Sequence, residues 1–303
     1  MEVACDVGLA NASYRDSAQV IGVGYMHLSG KQGGSVRALA LAVVAAVSLS
    51  GCSSLKPKGD WRLVWEENFN GPELNRAQWY VEHTTPTNPG LEEDDFADHP
   101  DHVRIENGNL ILSAIRKEDG RYLTGLVNTR ARTAWMHGRF EARIKVPRGA
   151  GAAPQFWMMP DVPSFERWPI SGEIDIMENL GREPLLVHGT IHYEHTNRHR
   201  DHGVYRSPKP LADDFHVYAV EWDRNSFAWS VDGQVFHRTS DPNMARFPFN
   251  RRFFVILSMG AGGRWAGPIN AETPMPIQME VDWVRVYQRK GRENARGSAV
   301  PQQ

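Results

Sequence analysis

Between Ser171 and Asn179 the chain reads Ser-Gly-Glu-Ile-Asp-Ile-Met-Glu-Asn, three carboxylates set among apolar residues where a core has no use for charge. A buried carboxylate is costly unless chemistry uses it. Side chains on a strand alternate between two faces, which puts Glu173 and Asp175 on one face and Ile174 and Ile176 on the other. Regular continuation would turn Glu178 away from the other acids. One extra residue near Met177, a β-bulge, returns it to their face, and bulges recur beside active sites. Cleavage of a glycosidic bond with retention needs a nucleophilic carboxylate and a protonated carboxyl about 5 to 5.5 Å apart. The long side chains of Glu173 and Glu178 can converge on such a gap. The same three acids also suit a metal site or an acid-rich edge strand, and by themselves they leave these alternatives open.

The elements that must position these acids are short β runs broken by turns. Leu63–Trp65, Leu110–Ala114, Gly138–Val146, His216–Trp222, Phe227–Val231 and Val281–Tyr287 alternate or are rich in β-formers, and helical period is nearly absent. Asp232-Gly233 between Val231 and Gln234 is a hairpin tip. Many strands at short spacing predict an all-β fold, an antiparallel sandwich. At 303 residues the chain can hold one large β domain or two smaller ones. A formal charge of −2 implies no nucleic acid or other polyanion as partner. Ten Trp, eight Tyr and twelve Phe fit either a packed sandwich or a groove that stacks sugar rings.

The first fifty residues read as a targeting sequence. Lys31 and Arg37 precede the apolar run Ala38–Val47, too short to span a bilayer, which is followed by Ser48-Leu49-Ser50-Gly51-Cys52. Leu49-Ser50-Gly51-Cys52 resembles a bacterial lipobox, whose Cys receives a diacylglycerol and becomes the mature N-terminus. The alternative is an ordinary secretory peptide with a chance Cys. The expected organisation is a leader over 1–51 with translation starting at Met26, a tether over 52–60, a catalytic domain over 61–288 and a disordered tail over 289–303. Ser53 after the lipid-bearing Cys52 resembles lipoproteins sent to the outer membrane, so the expected protein is a monomer held on that membrane by its N-terminal lipid.

The string Trp168-Pro-Ile-Ser-Gly-Glu-Ile-Asp-Ile-Met-Glu178 resembles the active-site signature of glycoside hydrolase family 16 in its bulged form. The resemblance spans the whole domain. It includes Leu63–Gly71, Gly138–Lys145 and Pro154–Pro160 before the signature, and His188–Tyr193, Asp214–Trp222 and Gly262–Trp265 after it, the last three most like the laminarinase branch. It implies a β-jelly roll whose concave sheet carries the cleft. Carried over position by position, it implies Glu173 as nucleophile, Glu178 as acid/base and Asp175 as the residue between them that tunes and orients. It also implies Trp157, Trp168, His192 and Trp265 as substrate-binding residues. No cofactor is implied for catalysis. A structural Ca²⁺ is implied at Glu67, Gly108 and Asp282, mostly through backbone oxygens. The run His188, His192, His195, His199 and His202 is too irregular to point to zinc.

The substrate class implied is a polysaccharide, β-1,3-glucan of the laminarin type cut endo with retention. Mixed-linkage glucan, agarose or carrageenan are the alternatives, and a glucan-binding module without activity is the competing class. Modules of that kind lack one or both glutamates, and both stand here. Two departures bear on substrate: Ser258 and Arg264 occupy positions where laminarinases usually carry Asn. The acidic stretch Leu91–His102 is expected to border the cleft, which argues against sulfated galactans.

Overall fold

The computed structural model describes residue 57 and residues 59–84, 94–161, 168–195, 198–241 and 248–290. The leader, Cys52, Met26, His199's side chain and residues 291–303 of the expected tail lie outside the described residues, as do residues 91–93 of the acidic stretch.

Among the described residues the chain is almost entirely strand. In order, the strands are β1 (Trp61–Glu67), β2 (Tyr80–Val81), β3 (Asp94–Phe96), β4 (Val103–Glu106), β5 (Asn109–Arg116) and β6 (Tyr122–Thr124). Next come β7 (Leu126–Asn128), β8 (Gly138–Lys145), β9 (Ala152–Pro160), β10 (Glu173–Glu178), β11 (Leu186–His195) and β12 (Arg198–Arg206). The last are β13 (His216–Asp223), β14 (Ser226–Val231), β15 (Gln234–Ser240), β16 (Phe253–Ala261) and β17 (Ile277–Arg289). Two helical turns interrupt them, a 3-10 turn at Leu211–Asp213 and one turn of α-helix, α1, at Gly263–Ala266.

The strands form two sheets, the antiparallel sandwich that the strand pattern predicted and the β-jelly roll that the family resemblance implied. One sheet has ten strands, with the path β15-β14-β13-β8-β17-β5-β6-β3 and with β1 and β4 on β17 and β5. The other has seven, in the order β12-β11-β10-β9-β16-β7-β2. Five of the six runs read as strands fall inside strands and the sixth, Gly138–Val146, runs one residue past the end of β8, while Asp232 and Gly233 take positive φ at the tip of the β14–β15 hairpin as a two-residue turn demands. The final strand reaches one residue past the expected domain end: Arg289 pairs with Trp61, its guanidinium 4.4 Å over that ring.

The two sheets close on one apolar core. Trp222, Phe227 and Trp229 from the larger sheet stack in series and meet Phe249 and Phe253. Phe156, Met158, Ile174, Val187, Ile191, Val255 and Leu257 fill it from the smaller sheet and are fully buried. Period-two alternation then turns the acids, their polar neighbours and a small apolar cluster around Trp157 to the opposite face of the seven-stranded sheet.

Candidate active site

The carboxylate strand β10 lies in the middle of the seven-stranded sheet, flanked by β9 and β11, so its acids lie away from either sheet edge. The register shows the bulge directly. Asp175 pairs with Trp157 and Met177 with Phe156 on β9, while on β11 Asp175 pairs with Thr190 and Glu178 with His188. One extra residue is thus inserted between Asp175 and Met177. Ile176 and Met177, successive in sequence, both turn into the core and are at most 1% exposed, which leaves Glu173, Asp175 and Glu178 together on the opposite face.

The bulge is fastened from across the core. Trp229 on β14 donates its indole N–H to the carbonyl of Asp175 at 2.9 Å, joining the two sheets at the residue where the register begins to slip. A buried carbonyl and a buried indole each need a partner, and here each supplies the other's.

The acids are enclosed. Burial, then the neighbouring charge of Asp175, pushes Glu173 up to about 8. Burial, then the charge of Glu173, pushes Glu178 up to about 7. Asp175, 3% exposed, is driven well above the ordinary carboxylate range by burial and then by Glu178. Three charges are therefore not carried at neutral pH, and the row keeps protons that solvent-exposed acids would have lost. Asp175 is the most enclosed of the three, so a proton there relieves the largest desolvation cost. His192 Nε2 stands 3.2 Å from Asp175 Oδ2 but is poorly aligned, leaving that buried oxygen without a hydrogen bond. Trp168 Nε1 donates to Glu173 Oε2 at 2.8 Å, which favours the ionised form of Glu173.

All four expected substrate-binding residues lie around this row. Trp168 is 54% exposed, with its ring 5.4 Å from that of His192. Trp265, on α1, is 44% exposed and meets His188 edge-on at 5.5 Å. His192 pairs with Glu173 and His188 with Glu178, so the two exposed indoles stand at opposite ends of the row. Trp157 is half-buried, packed beside Leu126, Phe254 and Ile256, and its Nε1 donates to Ser258 Oγ at 3.1 Å. It therefore offers less free face than the other two.

Several more residues join the site: sequence reasoning did not single out Gln155 and Arg200, and named His188 and His202 only as parts of sequence runs. Gln155 pairs with Glu178 across β9 and β10, and its amide favours the ionised form of that carboxyl. Arg200 on β12, exposed, lies across from His192 and adds a positive charge that favours ionised Glu178. His188 stacks on His202 and lies 3.2 Å from Glu183 Oε2. The visible signal for Gln155 was the alternation Gln155-Phe156-Trp157-Met158, which places a polar residue on the acid face one rung from Glu178.

Among the described residues, the His, Asp and Glu ligand atoms close enough to gather a cation are those of Glu173, Asp175 and His192, within 4.8 Å of one another. The expected Ca²⁺ set fits less well through its side chains. Asp282 already accepts from Arg143 Nη1 at 2.7 Å, and Glu67 Oε1 accepts from the amide of Phe69 at 2.9 Å. Each of these bonds engages one oxygen of its carboxylate, so the second oxygen and the backbone carbonyls remain for an ion. Two acids of the acidic stretch are paired locally: Asp95 bonds Lys117 and Arg121, and Asp98 bonds Arg76. Phe96 between them packs beside Trp157 in the same small apolar cluster.

Comparison with known proteins agrees with this geometry. The family model for glycosyl hydrolases family 16 matches residues 92–285. A beta-glucanase of Rhodothermus marinus is 33% identical over 267 residues, covering 82% of this chain and 93% of the relative. A glucan endo-1,3-beta-glucosidase of Cryptopygus antarcticus is 33% identical over 253 residues, covering 76% of this chain and 93% of its own length. The X-ray structure of the laminarinase from Rhodothermus marinus matches with a TM-score of 0.69 at 32% identity, covering 76% of this chain and 98% of that one.

Proposed function

The chain belongs to glycosyl hydrolases family 16, and from that premise we propose that it cleaves β-1,3-glucan internally and with retention, Glu173 acting as nucleophile and Glu178 as acid/base. The observation that carries the proposal is the bulge, which gathers both glutamates on one face of one strand and puts Glu178 within reach of Glu173's charge. Carboxyls about 5 to 5.5 Å apart leave no room for a water between nucleophile and sugar, and retention requires that gap here.

The residues divide the work as follows. Glu173, its ionised form favoured by the Trp168 N–H, attacks the anomeric carbon. Glu178, protonated, gives its proton to the departing glycosidic oxygen as the C–O bond breaks. Asp175 keeps a proton in the row against Glu173, so that the nucleophile is not faced by a second full charge. Glu178, now ionised, takes a proton from water, whose oxygen attacks the same carbon and releases Glu173. Trp168 and Trp265 offer exposed faces to the C–H surfaces of sugars at either end of the row.

The experiment is chemical rescue. Glu173→Gln and Glu178→Gln should each lose nearly all activity on laminarin, since acid catalysis alone supplies about two to four orders of magnitude. On an aryl glycoside with a good leaving group, Glu178→Gln still forms the glycosyl-enzyme, and azide restores turnover with a β-azide product. Rescue of Glu173→Gln alone, with that same stereochemistry, would exchange the two roles.

We propose further that Cys52 carries lipid and holds the enzyme on the outer membrane as a monomer. The order of basic, apolar and small residues ending at Cys52 supports this, and several acyl chains hold far better than one.

A further inference from the structure

A directed chain of hydrogen bonds runs to Gln155, the residue paired with the acid/base on the neighbouring strand. It begins at Trp157, whose Nε1–H donates to Ser258 Oγ at 3.1 Å. Ser258 in turn donates its hydroxyl proton to Gln155 Oε1 at 2.9 Å. An indole nitrogen only donates, and a serine has a single proton to give. The direction is therefore fixed. The carbonyl oxygen of Gln155 faces Ser258, which leaves its NH₂ as the donor available to the paired Glu178. Glu178, Gln155 and Ser258 lie in one rung across β10, β9 and β16, so sheet register rather than a loop sets their spacing. Ser258 is 4% exposed, which keeps water from competing for its hydroxyl.

We propose that Gln155 is a positioning residue for Glu178, its amide nitrogen holding the acid/base carboxyl in an orientation that Ser258 and Trp157 lock from behind. The proposal rests on the assignment of Glu178 as the acid/base. Its consequence follows from what else faces that carboxyl. On its own strand stand Glu173 and Asp175, whose charges favour the protonated form. From β11 come His188 and His192, and from β12 Arg200, which with His192 favours the ionised form. Gln155 is the neutral and directional member of this set. It steadies the carboxylate that must form after the leaving group has taken the proton, whatever the ionisation of the histidines.

The test is the pH dependence of kcat/KM on laminarin for the wild type, Gln155→Leu and Ser258→Ala, with melting temperatures to confirm folding. Hydrogen bonding to the charged form lowers a carboxyl pKa, so removing the amide should move the profile of Gln155→Leu to higher pH by about half a unit or more. Ser258→Ala, which only unlocks the amide, should move it in the same direction by less. A fall in kcat with the profile unmoved in both variants would overturn the proposal and leave Gln155 a packing residue. Glu178→Gln on an activated aryl glycoside separates this from the underlying assignment. If its rate still falls at high pH as the wild type does, the acid/base assignment itself fails. If that fall disappears while Gln155→Leu keeps the wild-type profile, the positioning proposal alone fails.

Discussion

Trp168 donates its indole N–H to Glu173 Oε2 across 2.8 Å while leaving half of its surface open beside His192. A single side chain thus serves as a face for a sugar ring and as a hydrogen-bond donor to the nucleophile. The two roles separate by mutation. Trp168→Phe keeps an aromatic face and loses the donor, so KM should change little while kcat falls and the pH optimum moves up, because Glu173 loses a group that favours its ionised form. Trp168→Ala should add a rise in KM, larger for long glucans than for short ones, since binding energy from remote sugars helps reach the transition state. Equal kinetics for the Phe and Ala variants would mean that only the donor matters.

The raised acids predict a stability cost at neutral and basic pH. A carboxyl with a higher pKa in the folded chain binds more protons there than in the unfolded chain, so stability falls as pH climbs from the unfolded value towards the folded one. For Glu178 that window runs from 4.5 to about 7. Glu178→Gln should therefore melt on the order of 10 °C above the wild type at pH 8 and close to it at pH 4, given about 1.4 kcal/mol per pKa unit and about 2 to 4 °C per kcal/mol at this size. Melting curves at the two pH values decide it. An unchanged difference between them would remove the desolvation account.

Gly189 and Trp229 tie the bulge to the core. A Cβ at Gly189 would come within 2.5 Å of Trp229 Cδ1, a ring that is fully buried and cannot yield. Gly189→Ala should destabilise by about 1 to 3 kcal/mol, the usual range for overpacking, and lower activity in the molecules that remain folded by shifting the indole from the Asp175 carbonyl. Trp229→Phe, which keeps the ring and loses the N–H, should cost less stability yet still reduce kcat. Thermal denaturation alongside single-substrate kinetics checks both, and full activity in Trp229→Phe would deny the fastening role.

The parts of this arrangement set by local pattern were readable before any coordinates. Alternation put Glu173 and Asp175 on one face, and the need to bring Glu178 back to them located the bulge within a residue of Met177. The Asp232-Gly233 turn was readable because its positive φ values suit few other pairs. What the sequence concealed depends on strands distant along the chain. Nothing near Trp229 marks its indole as the partner of a carbonyl on the other sheet. Ser258 showed only as a departure from the usual Asn, and its bond to Gln155 joins residues 103 positions apart. The Ca²⁺ positions were carried over by resemblance, which could not show that Arg143 already occupies Asp282.

Lipidation at Cys52 has a direct chemical test. Cells expressing the full chain with radiolabelled palmitate should label the wild type and not Cys52→Ala. The labelled protein should sediment with outer-membrane fragments. Label in both proteins, or in neither, would return the leader to an ordinary secretory signal.

The central claim, that two glutamates gathered by a bulge cleave β-1,3-glucan through a covalent intermediate, is tested most directly by the configuration of the first product. Proton NMR of laminarin during the first minutes of hydrolysis should show the β-anomer of the new reducing end, with the α-anomer growing only later by mutarotation. An α-anomer at the outset would contradict retention, and with it the roles given to Glu173 and Glu178.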